Sequence, residues 1–533
     1  MAEHNVGQAG SLLQDGQMKR LKVEDQEIVL ARVEGQYYAF GGNCTHYGAP
    51  LDEGVLKDHC VICPWHHATF DIRSGLRLEP PALNDLPHFP VRIDGGNVLV
   101  TLPQANESEP QGKADPADPR VFVIVGGGAA GNAAAEELRR SGFKGRIVIL
   151  SAVPNVPVDR PNLSKDYLAG KAEPGWIPLR GDASWYAARD IELRLSTRVT
   201  KVDPKAHTVS THDGQTIHYD KLLLATGGVP RSLGNTPGAD LGGIYMLRAL
   251  HDADRIIEAA QAGKRAVVIG TSFIGMEVAA SLAGGRGVSV TVVGMDPVPF
   301  LNVLGDDIGR MLRAEHEANG VTFQLNSIVA RFTGENGQVK AVELRNGKTL
   351  PADFVVIGVG VVPATDFLFD SGLALDDKDR SVKVDIHLRT SDPDIYAAGD
   401  IARWADGSER GKRIEHWRVA EQQGMVAARN MLGQMEAYSG HVPFFWTNQW
   451  SVILDYVGNA EKWDRIIYRG GKPADKKFLA FYMSKDEPLA VAGSGYDQEL
   501  DAIEIILRDK LPLTAAQIQD ESFDLIGYAK QGQ

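Results

Sequence analysis

The sequence predicts a multidomain fold in which a small all-β domain precedes an α/β region and an α+β C-terminal domain. All three cysteines lie between Cys44 and Cys63, in an N-terminal stretch where apolar and polar residues alternate as in β-strands. Two glycine-rich turns, each between a buried strand and a helix, follow about 140 residues apart, as in α/β units. The end of the chain combines short apolar runs with one amphipathic helix at residues 498–507.

Composition and charge narrow the classes of function. The chain has 533 residues, of which 43% are hydrophobic and 23% charged, as in globular proteins with several domains. Its formal net charge is -13 and it has no Lys/Arg block, which argues against a nucleic-acid partner or an acidic membrane surface. It has no apolar run of about 18 residues and no pattern of a secretory signal. We therefore expect a soluble, cytoplasmic protein with no nucleic acid and no membrane among its partners.

The cysteine content excludes several redox chemistries. Disulfide reductases need a redox-active cysteine pair, flavin peroxidases need a cysteine that forms a sulfenic acid, and a [4Fe-4S] cluster needs about four thiolates. The chain after Cys63 contains no cysteine. None of these three sites can be built from this sequence.

The predicted N-terminal β domain extends from about Met18 to Leu102. Residues 27–33 and 36–40 alternate apolar and polar side chains on either side of Glu34-Gly35, which predicts a β-hairpin. A strand end at residues 97–102 follows a second glycine pair. These short segments indicate a small domain built from β-strands.

Two cysteine–histidine loops within this domain predict a metal site. Cys44 and His46 form a Cys-x-His sequence, and Cys63 and His66 form a Cys-x-x-His sequence. A [2Fe-2S] cluster with two Cys on one iron and two His on the other uses this ligand set, with Cys44 and Cys63 on the first iron and His46 and His66 on the second. A structural Cys2His2 zinc site is the alternative, because the same atoms would satisfy it.

The loop sequences CTHYGAPLDEG and CPWHHATFDIRSG resemble the two cluster loops of Rieske-type ferredoxins. The resemblance implies a small β fold and a [2Fe-2S] cluster. His67 stands where this family has a glycine, and a second imidazole there is expected to alter hydrogen bonding to the cluster and hence its potential. Cys60 is expected to be a small buried residue rather than a fifth ligand.

Two strand–turn–helix segments predict two dinucleotide sites. The strand 121–125 leads through Gly126 to Gly131 into a helix at 132–140, and the strand 266–269 leads through Gly270 to Gly275 into a helix at 276–282. Glycines let a pyrophosphate approach the backbone, and the helix N-terminus offers free N–H groups. Two such Rossmann units imply two dinucleotides.

Further motifs resemble known flavoproteins. Residues 222–228 and 394–400 resemble the second and third FAD motifs of the two-dinucleotide-binding flavoproteins, which implies FAD in the first unit and NAD(P)H in the second. Residues 158–165, 273–277, 413–417 and 443–446 resemble landmarks of putidaredoxin-type ferredoxin reductases and of the apoptosis-inducing-factor family, above all its Rieske-bearing, AIF-like member. This resemblance covers nearly the whole chain, and the short apolar runs and the helix at 498–507 are similar to the α+β cap domain of these reductases.

The family resemblance also implies the cofactor-binding residues. Lys165 and Glu277 are implied as a catalytic pair beside the flavin N5, where a positive charge assists hydride acceptance; a surface lysine and a helix-capping glutamate are the alternative. The implied FAD contacts are Gly126, Gly128, Ala129, Ala130, Gly131, Arg160, Lys165, Val199, Thr226, Arg231, Asp400, Glu415, His416 and Trp446. The implied NAD contacts are Gly270, Ser272, Phe273, Ile274, Gly275, Glu277 and Gly358.

Both Rossmann units lack the acidic residue that binds ribose hydroxyls at the end of the second strand. In the first unit the strand 147–150 leads to Ser151, so FAD binding is expected to depend on other groups, including the backbone of Val199. In the second unit Gly294 holds the usual acidic position and Asp296 follows two residues later. Because no arginine appears before Arg310 to bind a 2′-phosphate, we expect NADH to be preferred to NADPH.

These observations predict five segments and one electron route. The predicted segments are a Rieske domain at 1–103, a linker at 104–119, an FAD-binding domain at 120–238 and 362–436, an NAD(P)H-binding domain at 239–361 and a C-terminal reductase cap domain at 437–533. Electrons are expected to pass from NADH through FAD and the cluster to an external acceptor, such as an oxygenase or a P450. A redox-gated binding protein of the AIF type, with slow NADH oxidase activity, is the alternative.

Two features of the assembly are also expected. The chain is expected to be a monomer or a homodimer. Because a short flexible tether supplies an effective concentration of about millimolar, we expect the Rieske domain to need no strong interface with the reductase.

Overall fold

The computed structural model describes residues 2–102 and 112–531. Residues 104–111 of the predicted linker lie outside the described residues. The described chain divides into two compact units, of which the first contains residues 2–102, 440–446 and 454–531 and the second contains residues 112–439 and 447–453. Among the described residues, no helix has both the length and the apolar character needed to cross a bilayer.

The N-terminal part of the first unit is a β domain, as predicted. Its strands are Ala2–Gln8, Met18–Val23, Gln26–Val33, Gln36–Gly41, Val55–Lys57, Cys60–Ile62, Thr69–Asp71, Arg77–Glu79, His88–Phe89, Val91–Asp94 and Asn97–Leu102, with a short 3₁₀ helix at Leu51–Glu53. The predicted hairpin is confirmed: the third and fourth strands pair antiparallel. Glu34 and Gly35 between them both have positive φ, of 52° and 77°, as a tight two-residue hairpin turn requires.

The C-terminal part of the first unit is an antiparallel sheet covered by helices. The sheet order is Phe444–Gln449, Val452–Gly458, Glu487–Ser494, Phe478–Ser484 and Arg465–Arg469, with residues 447–453 counted in the second unit. The helices are Pro473–Asp475, Asp497–Arg508, Ala515–Gln519 and Leu525–Gln531. The predicted amphipathic helix at 498–507 is therefore confirmed, and its apolar side chains join the core of this domain.

The second unit contains two parallel sheets of five strands. In the first, the strand order is Ile191–Arg194, Arg146–Leu150, Val121–Val125, Lys221–Leu224 and Ile395–Ala397, and the helices Ala129–Arg140 and Trp417–Met431 pack against each other. In the second, the order is Ile244–Met246, Phe354–Ile357, Arg265–Ile269, Ser289–Val293 and Thr322–Gln324, with helices Leu250–Ala259, Phe273–Ala280 and Asp306–Ala318. Both predicted strand–turn–helix segments are thus confirmed as Rossmann-type units.

Smaller elements connect and extend these sheets. The remaining strands are Val199–Asp203, Thr208–Thr211, Thr216–His218, Gly228–Pro230, Val329–Glu335, Gln338–Leu344, Thr349–Pro351, Val361–Pro363, Val382–Val384 and Ala402–Trp404. The remaining short helices are Arg160–Ser164, Asp166–Ala169, Pro174–Trp176, Ala183–Ala187, Leu301–Leu304 and Asp366–Leu368.

The second glycine-turn helix ends earlier than its sequence pattern predicts. We expected it at 276–282, but the α-helix spans Phe273–Ala280 and continues as a π-helical turn, Ser281–Gly285. A side chain on Gly284 would meet the Trp450 ring, and one on Gly285 would meet the backbone of Ala169. The glycines that loosen the last turn are therefore required by close packing.

Candidate redox sites

The four predicted cluster ligands lie together as one pair of cysteines and one pair of histidines. The thiols of Cys44 and Cys63 are within hydrogen-bonding distance of each other, and both cysteines are buried. The Nδ1 atoms of His46 and His66 are 3.2 Å apart. Two nitrogens bound tetrahedrally at about 2.1 Å to one metal are about 3.4 Å apart, so this imidazole pair fits a shared iron. A sulfur pair beside a nitrogen pair fits the two-iron ligand set described above.

The two cluster loops have the same backbone hydrogen bonds. The N–H of Cys44 donates to the carbonyl of Ala49, and the carbonyl of Cys44 accepts from Gly48, at 2.8 and 3.0 Å. The N–H of Cys63 donates to Ala68, and the carbonyl of Cys63 accepts from His67, at 2.9 and 3.0 Å. Each loop is therefore a closed turn that presents its ligands from a fixed backbone. Burial lowers the pKa of His46 to about 3, which favours the neutral imidazole that a metal needs.

Two further residues, His67 and Cys60, lie in the segment that carries the second cluster loop. His67 has a positive φ of 59°, which explains why the Rieske-type ferredoxins have glycine here. Its Nδ1 lies 2.5 Å from Glu504 Oε2, so this ring nitrogen contacts the C-terminal domain, and any effect on the cluster potential stays a prediction. Cys60 is half-buried rather than buried as expected, because it lies in the hairpin strand Cys60–Ile62 with one face toward solvent.

The glycine-rich turn after the strand Val121–Val125 is open to a ligand. Gly126 has φ of 116°, and a side chain there would overlap the carbonyl of Ala225. A side chain on Gly131 would overlap the carbonyl of Gly126. The helix Ala129–Arg140 begins directly after this turn, and its N-cap residue Gly128 has no side chain to cap it. Its first N–H groups therefore remain available for a phosphate.

Two arginines and one aspartate lie beside this turn. The Arg160 guanidinium is about 3.6 Å from the point where Gly128 would carry a Cβ atom. Arg248 Nη2 lies 3.0 Å from Asp400 Oδ2, and both adjoin Gly227 of the second FAD motif. Burial, together with the neighbouring Arg248, lowers the pKa of Arg160 to about 10, so this group is still a cation at neutral pH. The two cations and the turn suit a pyrophosphate.

The segment before the helix Trp417–Met431 brings two more predicted residues to Asp400. Arg413 Nη1 lies 2.6 Å from Glu415 Oε1 and donates to the carbonyl of Asp400 at 3.0 Å. Burial lowers the pKa of His416 to about 4, even though the Asp400 carboxylate opposes this change. Burial also raises the pKa of Glu415. His416 is therefore a neutral imidazole at neutral pH.

Four predicted FAD residues lie outside this group. Val199 begins the strand Val199–Asp203, and the Thr226 hydroxyl follows the strand Lys221–Leu224 and donates to the carbonyl of Ala364 at 2.9 Å. Arg231 is exposed after the strand Gly228–Pro230. Trp446 belongs to the first compact unit, where its ring centroid lies 4.3 Å from that of His66. Their contacts with FAD stay predictions.

Lys165 and Glu277 form a buried ion pair. Lys165 Nζ lies 3.0 Å from Glu277 Oε2, and the two side chains are 13% and 3% exposed. Ser164 donates to the same carboxylate at 2.5 Å, and Thr447 donates to it at 2.7 Å. The alternative of a surface lysine and a capping glutamate is excluded by this burial. The pair provides a fixed cation of the kind that a flavin accepting hydride requires.

The bonds to Glu277 continue to a buried histidine. Gln449 Nε2 donates to Thr447 Oγ at 3.2 Å, and His316 Nε2 lies 2.9 Å from Gln449 Oε1. Burial lowers the pKa of His316 to about 4, so it is a neutral donor at neutral pH. The sequence predicts neither this series of hydrogen bonds nor the role of Arg248, because none of these residues belongs to a motif.

The second glycine-rich turn repeats the geometry of the first. Gly270 has φ of 121°, and a side chain there would overlap the carbonyl of Gly358. Ser272 precedes the helix Phe273–Ala280 without capping it through its side chain. A Cβ atom on Gly294 would overlap the side chain of Thr271. A larger residue at position 294 would therefore require the Thr271 side chain to move.

The predicted NAD residues surround this turn. Gly275 packs on the carbonyl of Gly270, and Gly358 packs on the backbone of Gly275. Phe273 and Ile274 open the helix, and the Ile274 side chain is exposed. The structure thus brings the predicted residues of the second site together around one turn.

Comparison with known proteins identifies each part of the chain. Residues 3–90 match the Rieske [2Fe-2S] domain, residues 120–424 match the pyridine nucleotide-disulphide oxidoreductase family, and residues 444–529 match the reductase C-terminal domain. The chain is 37% identical over 507 residues to human apoptosis-inducing factor 3, covering 93% of this chain and 82% of that protein.

Ferredoxin reductases match about three quarters of the chain. The chain is 33% identical to the ferredoxin–NAD(+) reductase component of the biphenyl dioxygenase system of Paraburkholderia xenovorans, over 76% of this chain and 97% of that protein. It also matches the crystal structure of the covalent putidaredoxin reductase–putidaredoxin complex, with a TM-score of 0.73 and 34% identity, covering 78% of this chain and 99% of the matched chain.

Family and geometry agree on the cofactors. A Rieske domain holds a [2Fe-2S] cluster, and the two Rossmann-type units hold FAD and NADH. The zinc alternative is therefore set aside. The chain belongs to the pyridine nucleotide-disulphide oxidoreductase family, as an FAD-dependent NAD(P)H oxidoreductase of the ferredoxin-reductase type that carries its own Rieske [2Fe-2S] domain.

Proposed function

We propose that this enzyme takes electrons from NADH and delivers them, through FAD and its own [2Fe-2S] cluster, to an external acceptor protein of the oxygenase or cytochrome P450 class. The observation that carries the proposal is the presence of a paired Cys/His cluster site and a buried Lys165–Glu277 site in one chain. FAD accepts the two electrons of a hydride, whereas the cluster carries one electron at a time. One chain thus contains both steps needed to supply a one-electron acceptor.

The residues of the second unit have distinct roles in this proposal. Arg160 and Arg248 bind the FAD pyrophosphate at the open helix end, with Asp400 orienting Arg248. Lys165 holds a positive charge at the flavin ring, and Glu277 keeps that charge in place through the ion pair. The cluster ligands are Cys44, His46, Cys63 and His66.

The names of two relatives support an external acceptor of this class. One relative is the reductase component of a biphenyl dioxygenase system, and another is the putidaredoxin reductase of Pseudomonas putida, which is 35% identical over 408 residues. In this chain the Rieske domain stands in place of a separate ferredoxin. The acceptor would therefore be the protein to which a separate ferredoxin passes its electrons in such a system.

Anaerobic stopped-flow reduction tests the proposal. NADH is mixed with the purified holoprotein, flavin absorbance is followed, and the reduced cluster is measured by electron paramagnetic resonance in samples frozen at successive times. We expect the cluster signal to follow flavin bleaching, with many turnovers when cytochrome c or ferricyanide is added. A flavin that is fully reduced while the cluster stays oxidised would contradict the proposed route.

A second candidate function has one specific observation in its favour. Human apoptosis-inducing factor 3 matches the chain from the Rieske domain to the C-terminal domain, whereas the reductases match about three quarters of it. Under this candidate, NADH binding and flavin reduction would recruit a partner protein rather than feed an acceptor. A persistent flavin–nicotinamide charge-transfer band with slow acceptor turnover would favour it over electron supply.

A further inference from the structure

The Rieske domain and the C-terminal domain share one hydrophobic core. Val55 and Ile62, from the hairpin that leads into the second cluster loop, belong to the same buried cluster as Leu500 and Ile503 of the helix Asp497–Arg508. Shared burial of this kind is typical of the inside of a domain rather than of a transient contact. The structure thus differs from the expectation that a tether alone holds the Rieske domain.

Polar contacts surround this shared core. Lys57 Nζ lies 2.5 Å from Asp509 Oδ2, and the lysine side chain is only 7% exposed. Gln498 Nε2 donates to the carbonyl of Glu53 at 2.8 Å. Three successive parts of the helix therefore contact the Rieske domain, at its N-terminus, its middle and its C-terminus.

The middle of the helix encloses an imidazole from the second cluster loop. His67 is 1% exposed, its Nδ1 lies 2.5 Å from Glu504 Oε2, and its Nε2 lies 3.4 Å from Asp501 Oδ1. Asp501 and Glu504 are three residues apart and so project from the same face of the helix. The ring of His67 also stacks on Phe444, with centroids 4.1 Å apart.

Two members of this cluster, His67 and Asp501, hold unfavourable positions. His67 has φ of 59°, a backbone conformation that costs free energy for a residue with a side chain. The side chain of Asp501 is fully buried, 3.4 Å from His67 Nε2. A buried carboxylate without a cationic or hydrogen-bonding partner destabilises a fold. The contact with Glu504 compensates the strained backbone of His67, and Asp501 lies against the other nitrogen of the same ring.

We propose that His67, Asp501 and Glu504 form a lock that fixes the second cluster loop to the helix Asp497–Arg508, so that the Rieske domain is a permanently docked part of the C-terminal domain and not a mobile carrier. The lock acts on the cluster site directly, because His67 follows the ligand His66 and its N–H donates to the carbonyl of Cys63 at 3.0 Å. Its partner is this chain's own C-terminal domain.

Hydrogen exchange on the full-length holoprotein tests the lock. His67→Gly restores the residue typical of free Rieske-type ferredoxins, relieves the backbone strain and removes the imidazole. We expect the amides of Val55–Lys57 and Asp497–Arg508 to exchange about tenfold faster or more, because without the His67 contact the helix separates more often from the strand that it packs on. Glu34→Gly is the matched control, since it relieves a similar positive φ in the turn between the strands Gln26–Val33 and Gln36–Gly41.

A second variant changes the residue of the lock that belongs to the C-terminal domain. Glu504→Gln leaves the sequence of the cluster loop unchanged, so it remains informative if His67→Gly loses its cluster. We expect the same two segments to exchange faster in Glu504→Gln, and the double variant to exchange no faster than the quicker single variant, because both changes break one contact. Electron paramagnetic resonance of the reduced protein verifies that the cluster is present.

Two results would overturn the lock. One is exchange within twofold of the wild type in both single variants, with the cluster retained. The other is rapid exchange of both segments in the wild-type protein, which would show that the Rieske domain already moves freely. Neither measurement uses NADH or an acceptor, so the lock and the proposed electron route fail independently.

Discussion

Glu277 provides the strongest quantitative test of the second unit. Its carboxylate is 3% exposed and accepts hydrogen bonds from Ser164 at 2.5 Å and from Thr447 at 2.7 Å, while Lys165 lies 3.0 Å away. Glu277→Gln keeps the size of the side chain but replaces one oxygen by an NH2 group. Ser164 and Lys165 both approach one oxygen and Thr447 approaches the other, so the NH2 group of the variant faces a former donor in either orientation, and Lys165 loses its charged partner in both.

The size of the effect follows from these contacts. A hydrogen bond to a charged group contributes about 1.5–3 kcal/mol, and the variant removes the charge from the acceptor of the Ser164 and Lys165 contacts, which costs up to about 6 kcal/mol. Removing one partner of a buried ion pair typically costs about 3–5 kcal/mol, because the other charge stays buried. Both estimates agree on a loss of about 3–5 kcal/mol in the free energy of unfolding.

Urea titration followed by flavin fluorescence measures this loss, because the flavin is released when its unit unfolds. With a slope of about 3 kcal/mol per molar urea, we expect the midpoint to fall by about 1 M or more. Glu317→Gln is the matched control: Glu317 pairs with Arg313 at 2.9 Å on the helix surface, with side chains 44% and 39% exposed. Such a pair contributes about 0.3–0.5 kcal/mol, so the control midpoint should fall by less than about 0.2 M. Equal midpoints for the two variants would refute the reasoning.

The remaining predictions concern the cluster, the nucleotide and pH. Cys63→Ser removes a thiolate, so the protein should keep its flavin absorbance but lose most of its iron and labile sulfide; full iron content would contradict the ligand assignment. NADH should be used with a kcat/KM about tenfold or more above that of NADPH, because no arginine follows the second nucleotide strand before Arg310, and equal values would refute this. Burial lowers the pKa of His316 to about 4 from 6.5, so the unfolded chain binds this proton first and stability falls by up to about 3 kcal/mol as pH drops from 6.5 toward 4. His316→Gln should flatten this pH dependence of the urea midpoint; an unchanged dependence would assign it to other groups.

The site residues that could be predicted from the sequence are those that lie close together in the chain. Cys44 and His46 are two residues apart, and Cys63 and His66 are three apart, so one loop fixes each half of the cluster site. The glycine-rich turns are equally local, because strand, turn and helix follow one another without a break. Such patterns carry their geometry in their spacing.

The residues that the sequence did not predict contact the sites from distant positions in the chain. Thr447 bonds to Glu277 across 170 positions, and Arg248 bonds to Asp400 across 152 positions. Neither contact leaves a periodicity or a motif in the sequence, since each depends on how separate elements pack. The interface of the Rieske domain was missed for the same reason, because linker composition describes a tether and not the surfaces that it joins.

His67 shows how fusion of the domains changes what a cluster loop can contain. In a free ferredoxin the loop has no neighbour to compensate a strained residue, and glycine adopts the required positive φ at little cost. Here the carboxylate of Glu504, 437 positions away in sequence, contacts His67 within the same compact unit. A side chain that would destabilise a free ferredoxin is therefore stable in this chain. Groups that contact the neighbours of the cluster ligands tune a cluster's potential, so the helix Asp497–Arg508, which contacts His67, belongs to the cluster's protein environment. For that reason, a potential measured on the N-terminal domain alone would differ from the potential of the whole enzyme.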